Sequence, residues 1–226
     1  MRLIFIILIL FPAASYAEES IGKLVQREGF ISKTNINCTG SDCKNTGSKI
    51  YPGERIITSK GSRTKILLND GTAILIYGRS DVIISRVRLT ERHRPSEILL
   101  EKGTLKIIQK NSFLDVSLTV KTPVSVIKTV NSVINVVTGL DETALFVYSG
   151  EAGFAGLIPS RDKAFVLEEG YESSVKRGES PSRPVKVSRI LRSSWLGRHL
   201  LSGDSRRVLK YNKKSGTADW PFIKDD

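Results

Sequence analysis

The side chains that most often perform chemistry are scarce in this chain. Its 226 residues include two cysteines, Cys38 and Cys43, and two histidines, His93 and His199. Neither histidine has a cysteine, histidine or acidic residue at metal-ligand spacing, and most hydrolases need a histidine base. The sequence therefore predicts no catalytic residue, no metal site and no cofactor. A pair of carboxylates acting as in a glycosidase stays open, because such a pair is formed in space and not in sequence.

The two cysteines lie on either side of a short turn, Thr39-Gly40-Ser41-Asp42. In an exported chain, such a pair is typical of a structural disulfide. Free thiols and a redox-active pair are the alternatives. We expect Cys38 and Cys43 to form a disulfide that closes this loop.

The amino terminus has the three parts of a secretory signal peptide. Arg2 is followed by an apolar run from Leu3 to Phe11, and Ser15-Tyr16-Ala17 places small residues before Glu18. The run is much shorter than the roughly 20 residues of a membrane-spanning helix. Residues 1–17 are therefore predicted to be removed between Ala17 and Glu18, leaving a periplasmic or secreted protein with no transmembrane segment. An uncleaved anchor is the alternative.

The positive charge of the chain is concentrated near its carboxyl end. The formal net charge is +12, and residues 183–216 alone carry +9. Such basicity often indicates nucleic-acid binding, but an exported chain meets anionic membrane surfaces, cell-wall polymers or acidic proteins instead. The sequence therefore predicts a basic tail and no nucleic-acid partner.

Short runs rich in Val, Ile and Thr fill residues 22–176, and turn residues separate them. The clearest turn is Asn69-Asp70-Gly71, between the runs Thr64–Leu68 and Thr72–Tyr77, where the Asp-Gly pair indicates a hairpin. Several runs are apolar on both faces, as in strands buried between two sheets. This pattern predicts an all-β fold, either a β-sandwich or a β-roll of short strands.

The pattern changes after a linker at Pro181–Pro184. From Val185 to Leu201 the apolar residues recur at helical spacing, which predicts one amphipathic helix followed by a basic tail. Its candidate interaction residues are Ile190, Leu191, Trp195, Arg189, Arg192 and Arg198. This face could pack on the β domain as a closing helix, or it could dock on a partner or an anionic surface.

Five segments occur in the order typical of one family. They are Pro52–Thr58 with Gly61-Ser62-Arg63 and Asp70-Gly71-Thr72, then Leu99–Leu105, Val120–Val126, Tyr148–Ala152 and Leu167–Tyr171. In this order they resemble the FecR domain, over about residues 22–180. One departure is Asn131-Ser132, which stands where the family usually has Gly-Thr.

The resemblance implies an all-β extracytoplasmic module without catalytic residues. The best-known family members receive a signal from an outer-membrane receptor and pass it to a cytoplasmic anti-sigma segment, a role that we do not carry over to a chain beginning with a signal peptide. We expect a signal peptide at 1–17, a FecR-like β domain at 18–180, a linker at 181–184, and a helix and basic tail at 185–226. The expected function is a non-enzymatic binding or signalling module of the cell envelope, contacting a protein or ligand. The alternative is an envelope-structural protein whose tail binds peptidoglycan, acidic glycan or anionic lipid.

Replacing both Cys38 and Cys43 by Ser should lower the melting temperature only modestly. The closed loop is short, so its disulfide contributes roughly 2 kcal/mol on the loop-entropy model. Thermal unfolding in oxidising buffer, with thiol titration of the parent protein, measures both parts of this prediction. Complete loss of folding in the variant, or two free thiols in the parent, would contradict it.

Overall fold

In a computed structural model, the chain is described at residues 19–34, 46–86, 96–109, 117–157 and 164–187, and in two short strands beyond them. The strands of the main sheet are β1 (Gly22–Glu28), β2 (Ile31–Thr34), β3 (Lys49–Ile50), β4 (Glu54–Thr58), β5 (Arg63–Leu68), β6 (Ala73–Ile76), β7 (Asp81–Arg86), β8 (Ser96–Ile108), β9 (Leu118–Lys121), β10 (Ser125–Thr138), β11 (Glu142–Gly156), β12 (Phe165–Glu168), β13 (Tyr171–Lys176) and β14 (Val185–Lys186). A separate pair is formed by β15 (Lys210–Tyr211) and β16 (Ala218–Asp219). The described ranges contain no α-helix, which confirms the all-β prediction for this part of the chain.

One continuous sheet folds over on itself to form two layers. Layer I has the order β3-β1-β5-β6-β8-β10-β11-β13-β14, and layer II the order β2-β4-β7-β8-β9-β10-β11-β12. The long strands β8, β10 and β11 belong to both layers, because each crosses from one layer to the other along its length. Every pairing is antiparallel except that of β8 with β9.

The main core lies between the two layers. Buried residues alternate with exposed ones in β4 and with half-buried ones in β5, so each strand buries one face. Leu24, Ile66 and Ile74 of layer I belong to the same buried cluster as Ile56 and Val82 of layer II. Burial of branched aliphatic side chains between the layers is therefore the main apolar contribution to stability, at about 25 cal/mol per Å².

The crossings between the layers are made at corners with a repeated geometry. Gly29, Gly103 and Gly150 lie at the corners of β1–β2, β8 and β11, and their φ angles are 74°, 105° and 78°. Each glycine faces a buried serine on the neighbouring crossing, in the pairs Gly29–Ser62, Gly103–Ser80 and Gly150–Ser132. The approach is so close that a β-carbon on Gly103 would lie 2.2 Å from the Ser80 Oγ.

Each corner serine also satisfies a backbone amide at its corner. The amide of the residue after the glycine donates to the serine Oγ, at 2.9 Å for Phe30, 2.9 Å for Thr104 and 3.2 Å for Glu151. The residue before each serine has a positive φ as well: Gly61, Arg79 and Asn131. The last of these explains the departure at Asn131-Ser132. Asparagine tolerates the left-handed region better than most residues, and Asn131 adopts a φ of 49° there.

The predicted hairpin at Asp70-Gly71 is present between β5 and β6, but its turn differs from the expected two-residue type. Only Gly71 has a positive φ, and its amide donates to the Leu68 carbonyl. The Asp70 carboxylate instead accepts the Thr72 amide at 2.8 Å. The loop is therefore a three-residue turn with glycine at the left-handed position.

The boundary predicted at Pro181–Pro184 is not where strand pairing ends. Ser182 donates its amide to the Ser174 carbonyl, and the Ser173 hydroxyl donates to the Ser182 carbonyl. Val185–Lys186 then forms β14 on β13 instead of beginning a helix. Backbone hydrogen bonding to β13 therefore extends the β domain beyond residue 180.

Several predictions concern residues outside the described ranges. These are the signal peptide with its cleavage point at Ala17 and Glu18, the Cys38–Cys43 disulfide, and the helical segment after Val187. Within the described ranges, no helix is long and apolar enough to cross a membrane.

Gly103→Ala should destabilise the protein much more than Gly53→Ala. Both positions have a positive φ, so both variants carry a backbone cost of about 1–2 kcal/mol. A β-carbon at Gly53 meets nothing within 4 Å, whereas at Gly103 it would lie 2.4 Å from the Ser80 Cα. Urea denaturation of the two variants measures the difference. Equal losses of unfolding free energy in the two variants would show that the close contact between Gly103 and Ser80 does not add to the cost of the substitution.

Candidate functional site

The sequence-predicted interaction residues lie outside the residues that the structure describes. Ile190, Leu191, Trp195, Arg189, Arg192 and Arg198 all follow Val187, the last residue of its described range, and both histidines lie outside the described ranges. Among the residues that are described, no group of three or more His, Cys, Asp or Glu side chains could hold a metal ion. The candidate sites are therefore sheet surfaces and buried polar groups.

A second, smaller apolar cluster lies on the outer face of layer I, opposite the main core. It contains Val137, Ala144 and Phe146, with Tyr148 and Val187 packed against it. Lys106 and Asn135 occupy the same face, in a cross-strand row that runs Lys65–Leu75–Lys106–Asn135–Phe146–Glu172–Val185. We call Lys106, Asn135, Val137, Ala144, Phe146, Tyr148 and Val187 the outer cluster.

Aromatic contacts organise the centre of the outer cluster. The Lys106 ammonium lies 4.6 Å from the centroid of the Tyr148 ring, a cation–π distance. Phe146 meets Tyr148 edge to face, with the ring centroids 4.3 Å apart. Burial raises the pKa of Tyr148 to about 12, and burial together with the nearby Tyr148 raises the pKa of Tyr77. Both phenols are therefore neutral at physiological pH, and they serve as apolar surface with a polar tip.

Burial of the outer cluster is unusual for the outer face of a sheet. Lys106 is only 6% exposed and Asn135 only 3% exposed. The Asn135 Oδ1 is buried and accepts no hydrogen bond from the described residues. A buried acceptor without a donor costs free energy, so this position favours a contact that supplies one. The outer cluster is suited to binding a group that donates a hydrogen bond, and it offers no nucleophile beside a base.

The outer face of layer II is open by comparison. The row Arg55–Ile83–Leu99–Lys121–Val126–Ala155 crosses it. Ile57, Val130 and Val166 add exposed apolar side chains, and Val166 is 63% exposed. We call this surface the open face. Arg55 and Lys121 are each paired on this face, with Asp81 at 2.6 Å and Glu97 at 3.0 Å. Aliphatic side chains flanked by these two ion pairs make a mixed apolar and charged surface, of the kind that contacts proteins.

A buried ion pair connects β2 with β4. The Lys33 ammonium is 3.0 Å from the Glu54 Oε1, and both side chains are 1% exposed. Lys33 also donates to the Lys49 carbonyl, and the Tyr51 amide donates to the Glu54 Oε2 at 3.0 Å. Burial raises the pKa of Glu54, although Lys33 opposes that shift. The pair therefore joins β2, β3 and β4 and has a structural role.

The outer cluster and the buried pair were both missed from the sequence. The signal for the outer cluster was present in the runs Val133–Val137 and Ala144–Tyr148, which are apolar on both faces. We interpreted those runs as strands between two sheets, but one face points to the main core and the other to the outer cluster. Nothing in the sequence indicated that Lys33 and Glu54 would meet, because 21 positions separate them.

Lys33→Met should destabilise the protein by about 3–5 kcal/mol near neutral pH, because it leaves the Glu54 carboxylate buried without its partner. A carboxyl whose folded pKa is raised favours the folded state when protonated, so its contribution is lost as pH rises through that pKa. The loss in Lys33→Met should therefore be smaller at mildly acidic pH. Adding Glu54→Gln to Lys33→Met should recover stability at neutral pH and remove the difference between neutral and acidic pH. Denaturant unfolding across pH tests this, and a pH-independent loss would contradict it.

Comparisons with known proteins gave one family match and two similar solved structures. The family model described as "FecR protein" matches residues 54–153, from the first residue of β4 into the second half of β11. Two crystal structures of a candidate anti-sigma factor from Parabacteroides distasonis ATCC 8503 are similar, at 14% and 15% identity and a TM-score of 0.47 each; the similarity covers 58% of this chain and 59% of that protein's. No curated protein sequence matches the chain. The match supports a FecR-like protein over residues 54–153, which is less than half of the chain.

Proposed function

We propose that this chain is an exported, non-enzymatic regulatory module of the bacterial cell envelope. The FecR match over residues 54–153 carries the proposal, since it points to a signalling role and to a protein partner. The signal peptide predicted at residues 1–17 supports export to the periplasm or beyond. The proposed task is recognition, in which a partner protein or ligand binds the β domain.

The open face is the surface that best suits this partner. Its exposed aliphatic side chains lie on paired strands, so the surface is rigid and needs little ordering when a partner binds. Ile57 and Val166 stand at opposite ends of it, on β4 and β12. The partner should therefore present an apolar patch, because Arg55 and Lys121 are already paired with Asp81 and Glu97.

The basic tail supports a second candidate function. Residues 183–216 carry a net charge of +9, and each basic residue near an anionic surface contributes about 1 kcal/mol at low salt. Binding to peptidoglycan, acidic glycan or anionic lipid through this tail would make the chain an envelope-structural protein. Deleting residues after Lys186 separates the two: only this second function should be lost.

A photo-crosslinking residue at Val166, in the exported protein in its native envelope, should give one discrete adduct with a protein partner. Leu140 is the matched control, because it is 71% exposed but lies in the β10–β11 turn, away from the open face. Ile57→Asp should abolish the Val166 adduct without unfolding the protein, since that side chain is already exposed. Identical adducts from both positions, or an adduct that survives Ile57→Asp, would contradict the open face as the binding surface.

A further inference from the structure

We propose that the outer cluster is the docking site for this chain's own segment 188–201, with Leu191 and Trp195 lying on Phe146 and Tyr148. This docking is separate from whatever the open face binds, and it concerns the opposite layer of the sandwich. It assigns an occupant to an apolar sheet surface that is buried although it does not face the main core.

The chain is already anchored on the outer cluster at the point where segment 188–201 begins. Val187 packs against the cluster formed by Val137, Ala144 and Phe146. Its amide donates to the Gly170 carbonyl at 2.9 Å, and the two residues before it form β14 on β13. The segment therefore starts beside the outer cluster and has no linker to cross before reaching it.

The apolar residues of the segment continue the face on which Val187 lies. Leu191 and Trp195 follow Val187 at intervals of four residues, so a helix places all three side chains on one stripe. From Val187 to Trp195 a helix rises about 12 Å. Neighbouring strands lie about 4.8 Å apart, so this length reaches from β14 past β13 and β11 toward β10. Phe146 and Asn135 lie on those strands.

Charge complementarity favours the same placement. Glu168, the last residue of β12, and Glu169, in the turn that follows, are both exposed, and Glu172 lies opposite Phe146 in the cross-strand row. The segment brings Arg189 and Arg192 within its first turns after Val187. Opposite charges flanking an apolar contact give it register and orientation. A donor from the segment would also meet the buried Asn135 Oδ1, which accepts no hydrogen bond from the described residues.

The first test uses Trp195 as the probe in the full exported chain. Trp220→Phe leaves Trp195 as the single tryptophan. We expect blue-shifted emission and poor quenching by iodide in the free protein, without vesicles or glycan. Leu191→Asp should shift the emission to the red and raise the iodide quenching constant severalfold, while the far-ultraviolet β-sheet signal is unchanged. Ser193→Asp is the matched control, because Ser193 falls off the stripe and its variant should behave as the parent.

The second test locates the contact directly. A benzoylphenylalanine placed at Trp195 should crosslink within one chain to the peptide that carries Phe146 and Tyr148, as read by mass spectrometry. Mixing isotope-labelled and unlabelled protein distinguishes this from a contact between two copies. A Trp195 that is fully quenched in the free protein would overturn the proposal. The proposal would also be overturned if Trp195 were protected from iodide only in the presence of anionic vesicles. Crosslinks that join two copies, or that reach another surface, would overturn it as well.

Discussion

Three serine hydroxyls hold the sheet in its folded-over form. At each corner a chain turns from one layer to the other through a glycine with positive φ, and the turn leaves the next amide without a strand partner. Ser62, Ser80 and Ser132 accept those amides, and their side chains occupy the space that a β-carbon on each glycine would need. An unsatisfied buried amide costs about 1–3 kcal/mol, so these contacts determine where a long strand can bend. The main core forms only because the bends bring the two apolar faces together.

Folding one sheet into two layers gives the protein two outer faces with different properties. The outer face of layer II exposes Ile57 and Val166 and is open to a partner. The outer face of layer I buries Lys106 and Asn135, and the chain passes over its edge at Val187. Under the two proposals, a domain of this form would separate an external contact surface from one adjoining the segment after Val187. Under the proposed docking, that segment would act as a cover for layer I.

The buried polar groups have different energetic roles. The Lys33–Glu54 pair costs desolvation that its attraction only partly offsets, so its contribution lies in fixing the positions of β2, β3 and β4. The hydroxyls of Thr122, Thr138 and Thr143 instead form a buried chain of hydrogen bonds at 2.8 and 2.6 Å. That chain places the Thr122-Pro123 turn against the start of β11. Neither group resembles a catalytic arrangement, because each polar atom is directed at a structural neighbour.

The sequence by itself determined the all-β class, the hairpin at Asp70-Gly71 and the FecR resemblance, because alternation, β-branched residues and turn residues are local signals. The family segments also contain Gly103 and Gly150, but the sequence did not indicate which serines these glycines would face. Tertiary structure decided the pairing of those corners, the meeting of Lys33 with Glu54, and the second face of the Val133–Val137 run. It also decided that β14 pairs with β13 past Pro184, where helical spacing had predicted otherwise. Such contacts depend on strand register across the whole sheet, and a one-residue change of register reverses which face every side chain occupies.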